Sequence, residues 1–203
     1  MNILLEDIGK RFNKNWIFRH IGIEFESGQV YAITGNNGSG KTTLLKVISG
    51  ISQSSEGKLS YSKNNTAIEA EAVFKYLTFV GPYTELIEEF SLVEIIDFYA
   101  KLKPLTIEKG LLIDRLGFDS VKNRYIKNYS SGMKQKVKLG LALFTQSDLL
   151  LLDEPTSNFD ESNTNWYLEM MDQQKNKTII IGSNQTYEYG FCNEVINLNN
   201  FKN

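Results

Sequence analysis

At 203 residues, 41% of them hydrophobic, the chain is long enough for one well-packed domain or for a core carrying a smaller insert. Its 22 basic and 24 acidic residues leave a net charge of −2, so nothing electrostatic favours nucleic acid as a partner and none is expected. The single cysteine, Cys192, excludes an internal disulfide and, with no signal-peptide pattern at residues 1–7, points to a reducing cytosol; no apolar run approaches the roughly 18 residues that span a bilayer, so a membrane role has to come through a partner.

The first residues read as short strands around Ile3-Leu4-Leu5 and residues 21–26, closed by a turn at Ser27-Gly28. Between them Phe12 is an aromatic in the polar stretch Lys10-Arg11-Phe12-Asn13, either a stacking surface for a flat base or a half-buried packing residue. The apolar run of residues 29–34 then leads into Gly35-Asn36-Asn37-Gly38-Ser39-Gly40-Lys41-Thr42 and the helical pattern that starts at Thr43-Leu44-Leu45. Strand, glycine-rich loop and helix form the context that the phosphate-binding pattern GxxxxGK[ST] needs. Glycines at 35, 38 and 40 allow the backbone N–H groups to turn inward onto phosphate oxygens, and the helix adds the positive end of its dipole. Lys41 is placed to reach the β- and γ-phosphates, and the Thr42 hydroxyl to ligate Mg²⁺.

Ser49-Gly50 closes that helix, residues 58–62 alternate as a strand, Lys63-Asn64-Asn65 is a turn, and residues 77–80 form a buried strand ending at Gly81-Pro82. From Tyr83 to Lys127 the pattern is helical: Ser91 and Glu94 make a capping box, Pro104 separates the first helix from a second over residues 106–116, and Gly117 caps the latter. A helix over residues 133–144 precedes Asp148-Leu149-Leu150-Leu151-Leu152-Asp153-Glu154. Four leucines bounded by acids read as a central strand buried on both faces, which delivers two carboxylates at its C-terminal end. A helix over residues 161–174, a strand over 178–181 and a closing strand over 194–198 complete the alternation, with the asparagine-rich end as a frayed tail.

Asp153 fits the acid that holds Mg²⁺ through water, and Glu154 fits a base that orients a water for attack on the γ-phosphate. Two more motifs narrow the class. Tyr129-Ser130-Ser131-Gly132-Met133-Lys134-Gln135 resembles the LSGGQ signature of ATP-binding cassette (ABC) ATPases, with Ser130 at the usual spacing before Asp153. Ser157-Asn158-Phe159-Asp160 resembles the D-loop of that family. A helix N-terminus with a serine and a glycine is a second anion site.

The resemblance covers nearly the whole chain. It implies an α/β fold of the P-loop NTPase (ABC ATPase) kind, with a RecA-like mixed sheet core, an N-terminal antiparallel β subdomain and an inserted helical subdomain, the core being residues 1–82 and 132–203 and the helical part 83–131. It implies ATP and Mg²⁺ as ligands. Gly35, Asn36, Asn37, Gly38, Ser39, Gly40, Lys41, Thr42 and Thr43 would hold the nucleotide, Phe12 would stack on adenine, Thr42 and Asp153 would hold the metal and Glu154 would be catalytic. Ser130, Ser131, Gly132 and Met133 would close the site from a second cassette, identical or related, with Ser157 and Asp160 at the dimer interface. The single cassette without spanning helices looks like the separate ATPase subunit of a membrane transporter, on the cytoplasmic face and docked to a transmembrane permease; the Ser-Gly-Met-Lys form leans toward export. A soluble cassette uncoupled from transport, or a slow nucleotide-sensing subunit, is the alternative.

Two positions depart from the family. Gly81-Pro82 stands where a glutamine is usual, and no glutamine occurs between Gln53 and Gln135; Ser183-Asn184 stands where a histidine is usual. The amide of Asn184 can hydrogen-bond but cannot carry a proton as imidazole does, so slow hydrolysis is expected, with Asn184 in a reduced catalytic role. The one histidine, His20, reads as a surface or packing residue. The acidic cluster Glu85, Glu88 and Glu89 and the basic run Lys122, Arg124, Lys127, Lys134, Lys136 and Lys138 read as solvated faces.

Overall fold

The computed structural model describes residues 1–174 and 176–202. Along the chain run β1 (Asn2–Phe12), β2 (Asn15–Phe25), β3 (Val30–Thr34), α1 (Lys41–Ile48), β4 (Glu56–Lys63), β5 (Thr66–Ile68), β6 (Leu77–Val80), α2 (Leu92–Leu102), α3 (Lys109–Leu116), α4 (Ser131–Phe144), β7 (Leu149–Asp153), α5 (Glu161–Asp172), β8 (Thr178–Gly182), α6 (Thr186–Tyr189) and β9 (Glu194–Asn197). They fall into two compact units, one made of Met1–Gly81, Ser147–Glu154 and the segment from β8 onward, the other of Pro82–Gln146 and Pro155–Gln174.

The first unit holds two sheets. In the antiparallel one, of order β2-β1-β4-β5, the two short N-terminal strands expected from sequence are a single hairpin of two 11-residue strands. Phe12 pairs with Asn15 across a two-residue turn whose Asn13 takes φ 55°, so the polar stretch read as a connection is strand. The β4–β5 turn was legible: Asn64 and Asn65 take φ 50° and 62°, the left-handed pair that a tight hairpin demands. β1 bulges near Asp7, where Asp7 and His20 both have positive φ and His20 Nδ1 lies 2.7 Å from Asp7 Oδ1, an exposed pair. The bulge keeps Ile3, Leu5 and Ile8 on the buried face although the spacing changes from two to three.

The core sheet is parallel throughout, in the order β6-β7-β8-β3-β9, where a mixed one was expected; the antiparallel pairing is confined to the separate N-terminal sheet. All five residues of β7 and of β8 are buried, as continuous aliphatic runs in a doubly covered sheet should be. Leu44, Leu45, Val47 and Ile48 of α1 join the same core, and the Tyr61 hydroxyl donates to the Ile48 carbonyl at 2.8 Å. The expected frayed tail is instead a 3-10 turn over Leu198–Phe201: Leu198 is fully buried and Phe201 packs on the core, apolar anchors that outweigh the asparagines around them. Asn203, the final residue of that expected tail, lies outside the described residues.

The second unit is helical. Ser91 and Glu94 make the reciprocal capping box, and Gly117 ends α3 at φ 72°. α3 starts at Lys109 rather than 106, because the Thr106 N–H and hydroxyl both donate to the Phe144 carbonyl and Glu108 takes the N-cap position. Beyond residues 83–131 this unit also takes in α4 and α5. Gly140 of α4 admits Leu116, whose Cδ2 would lie 2.7 Å from a Cβ there, and Trp166 Nε1 of α5 donates to the Arg115 carbonyl at 2.8 Å. The acidic cluster is a solvated face, with Glu85, Glu88 and Glu89 all exposed, as are Arg124 and Lys127 of the basic run; the half-buried lysines are engaged, Lys134 with Glu88, Lys122 with Asp119, Lys138 with the Thr84 carbonyl, and Lys136 over the Phe118 and Trp166 rings.

Gly57 tests the β1–β4 seam. It sits at φ 81°, and a Cβ there would lie 2.2 Å from the Asp7 carbonyl oxygen, a backbone atom that cannot swing aside. Gly57→Ala should therefore destabilise by more than the about 1–2 kcal/mol of positive φ alone, read as a lower midpoint in thermal melts.

Candidate functional site

Three adjacent parallel strands, β7, β8 and β3, end side by side, with Asp153 opposite Gly182 and Gly182 opposite Ile33. The glycine-rich loop follows β3, Asp153-Glu154 ends β7, and Ser183-Asn184 follows β8, so three sequence-distant stretches share the edge where parallel sheets receive ligands.

The loop has the required backbone. Gly35, Gly38 and Gly40 take φ 139°, 76° and 104°, and a Cβ at Gly35 would come within 2.8 Å of Ser39 Oγ. Gly40 caps α1 and lies so close to β2 that a Cβ would meet Ile17 Cγ2 at 2.5 Å. The loop borders a cleft of about 340 Å³ lined by Ile17, Asn37, Gly38, Lys41, Thr43 and Glu154 among others. Lys41 is buried and folds back so that its Nζ donates to the Gly35 carbonyl at 2.8 Å. Burial holds its pKa below the ordinary lysine value, against the pull of Glu154 and Asp153.

Asp153 is 1% exposed, and its Oδ2 accepts from the Thr42 hydroxyl at 2.6 Å. Burial pushes this carboxyl up from the usual range, opposed by the Thr42 hydrogen bond. Among the described residues its Oδ1 and the hidden Ser39 Oγ find no hydrogen-bond partner. A buried carboxylate oxygen left open beside a hydroxyl is the hard-oxygen donor set that suits Mg²⁺, so the residues present fit that ion. Glu154 is exposed and has φ 47°; its N–H donates to the Gly182 carbonyl at 2.9 Å. At Gly81, which stands where a glutamine was expected from the resemblance, a Cβ would lie 3.3 Å from Asp153 Cβ.

Asn184 meets the loop directly: its Oδ1 accepts from Gly35 N–H at 3.2 Å and its Nδ2 donates to Asn37 Oδ1 at 3.3 Å. Asn36 N–H donates to Asn199 Oδ1 at 3.4 Å. Phe12 is 53% exposed at the hairpin tip, with Lys10 Nζ 5.1 Å from its ring centroid. Ile17 and Asn199 are the residues that sequence reasoning missed. Ile17 carried a signal only in hindsight of the hairpin register, and Asn199 carried none, because nothing local ties a C-terminal asparagine to a loop more than 160 residues earlier.

The other motif residues belong to the second unit. Ser130 is the N-cap of α4, its Oγ accepting from Met133 N–H at 3.2 Å, with Ser131 and Gly132 in the first turn. A Cβ at Gly132 would lie 2.8 Å from the Asn158 carbonyl, which brings the two motifs into contact. Asp160 caps α5 through Asn163 N–H at 2.8 Å, Asn158 sits at φ 67°, and Ser157 is half-buried.

A family model described as ABC transporter matches residues 18–157. The chain is 30% identical over 204 residues to the ABC transporter ATP-binding protein YybJ of Bacillus subtilis (strain 168), covering 95% of this chain and 90% of that one. It is 27% identical to the lantibiotic transport ATP-binding protein SrtF of Streptococcus pyogenes, covering 88% and 78%. Its fold matches the dimeric post-hydrolysis structure of the ATP-binding cassette MJ0796 bound to ADP and Pi, with TM-score 0.81, 17% identity and coverage of 96% and 93%. Among the described residues no helix is long and apolar enough to cross a membrane.

Because the Asp153 carboxyl is raised, its charge opposes folding of the ligand-free chain above that raised pKa, and the penalty fades as pH falls through it. Asp153→Asn, which keeps an acceptor for Thr42, should melt higher than wild type at pH 7, with the gain shrinking as the melt is repeated at lower pH.

Proposed function

This chain belongs to the ABC transporter family, as an ATP-binding cassette, and from that premise we propose that it is the ATP-hydrolysing subunit of an export-type transporter, driving a separate transmembrane permease through ATP-dependent pairing with a second cassette. The observation that carries the reading is that Lys41 and Thr42, at the head of α1 beyond the β3 loop, meet Asp153 and Glu154 at the end of β7, with Thr42 hydrogen-bonded to Asp153. Anion, metal and water-activating groups are thereby grouped around one cleft.

Lys41 and the loop amides bind the phosphates; on nucleotide entry the Lys41 ammonium exchanges the Gly35 carbonyl for phosphate oxygens. Thr42 and Asp153 hold Mg²⁺, which supplies charge neutralisation at the phosphates. Glu154, exposed at the cleft, orients the attacking water and accepts its proton. Phe12 stacks on adenine from the exposed hairpin tip. Ser130, Ser131, Gly132 and Met133 of one cassette close the site of the other, with Ser157 and Asp160 at that interface. The dimeric state of the MJ0796 cassette supports the pairing, and the lantibiotic transport assigned to SrtF supports export. Such a subunit lies on the cytoplasmic face of the membrane.

Hydrolysis is slow, because Asn184 offers a neutral amide where imidazole would offer a titratable group, and Gly81-Pro82 offers no side-chain amide. Glu154→Gln should lower turnover by about 10²-fold or more while ATP still binds, and should shift the chain to a dimer in size-exclusion runs with ATP. Unchanged turnover would sink the catalytic reading. Asn184→His should raise turnover and add a limb to the pH–rate profile near the ordinary histidine value, a limb absent from wild type.

A further inference from the structure

The glycine-rich loop is braced from both strands that flank β3. On one side β8 leads to Asn184, which accepts from Gly35 N–H; on the other β9 leads to the turn whose Asn199 accepts from Asn36 N–H. We propose that Asn199 is a positioning residue for the nucleotide site, its carboxamide oxygen holding the N–H of Asn36 and so fixing the start of the phosphate-binding loop, whose later amides are left to receive the triphosphate. The proposal rests on the reading of that loop as the ATP site.

Asn199 is itself held in place. Its N–H donates to Asn197 Oδ1 at 2.9 Å, the preceding Leu198 is fully buried, and Phe201 packs against the core. Upstream, Asn197 pairs with Thr34 in the sheet, and Thr34 Oγ1 donates to the Ile196 carbonyl at 3.4 Å, so the turn cannot drift without breaking the β3–β9 ladder. Gly35 sits beside the brace: it takes φ 139°, and a Cβ there would meet Asn199 Oδ1 at an ordinary 3.5 Å and crowd Ser39 Oγ at 2.8 Å. The residue type suits the task. A carboxamide accepts a hydrogen bond without placing negative charge beside the phosphates, as a carboxylate would, and an aliphatic side chain could not accept at all. A loop whose first two amides are already bonded loses less conformational freedom when nucleotide arrives, which is where the affinity comes from.

The test uses the full chain. In nucleotide-free protein, Asn199→Ala should speed amide hydrogen exchange at Asn36, read by NMR, while exchange at Ile33 and Ile196 in the flanking strands stays as in wild type. Affinity for a non-hydrolysable ATP mimic with Mg²⁺ should fall about three- to tenfold, and Asn200→Ala, at the exposed neighbour, should change neither reading. Unchanged exchange at Asn36, faster exchange with unchanged affinity, or loosening of the strands along with the loop would each overturn the proposal. Wild-type protein that fails to bind the mimic would overturn the nucleotide site itself, an outcome kept apart by the exchange comparison, which needs no nucleotide.

Discussion

The lateral pairing of β8 between β7 and β3 is the constraint on which the rest of the first unit depends. Its hydrogen bonds set Asp153, Gly182 and Ile33 level, and the phosphate-binding loop, Thr42, Glu154 and Asn184 all follow directly from those three strand ends. A slip of one residue in either pairing would shift the site groups by about 3.3 Å and send each β7 side chain to the opposite face. Leucines on β7 and isoleucines on β8 face core on both sides, so burial alone would tolerate such a slip; the acids that bound the leucine run pin it, Asp148 to Lys63 and Asp153 to the Thr42 hydroxyl.

Around that frame the site keeps two buried charges, and neither is at ease. Lys41 is held below and Asp153 above the ordinary value, each mainly by desolvation. The Thr42 hydroxyl and the Gly35 carbonyl satisfy them in part, and both partners are groups that a magnesium nucleotide would re-engage. Stability forgone by burying these two groups is in this way available to binding, as expected at a functional site.

Much of this was legible in the sequence, for identifiable reasons. The loop, the leucine strand, the capping box at Ser91 and the Asn64-Asn65 turn are short-range signals, each fixed by residues within one or two turns of chain. What escaped was set by distant partners. The polar stretch at Lys10-Arg11 became strand because it pairs with Phe18 and Trp16 of β2, and α4 and α5 joined the helical unit through Leu116 and Trp166 contacts that no local pattern announces. The asparagine-rich end looked frayed because composition cannot show that Leu198 finds a dry socket. In the site, Asn184 was found because a family position pointed to it, whereas Asn199 had neither motif nor periodicity.

The left-handed backbone at Glu154 separates aim from reactivity. Its direction out of the sheet is decided by main-chain atoms, the φ of 47° and the tether to the Gly182 carbonyl, before the carboxylate plays any part. Unbranched side chains of similar length can occupy that pose, while β-branched ones are penalised there by sterics alone. The tether ties Glu154 to the same strand that leads to Asn184, so a movement of β8 would carry the Glu154 carboxylate and the loop brace as one piece, and their spacing would survive motions that alter the distance to anything else.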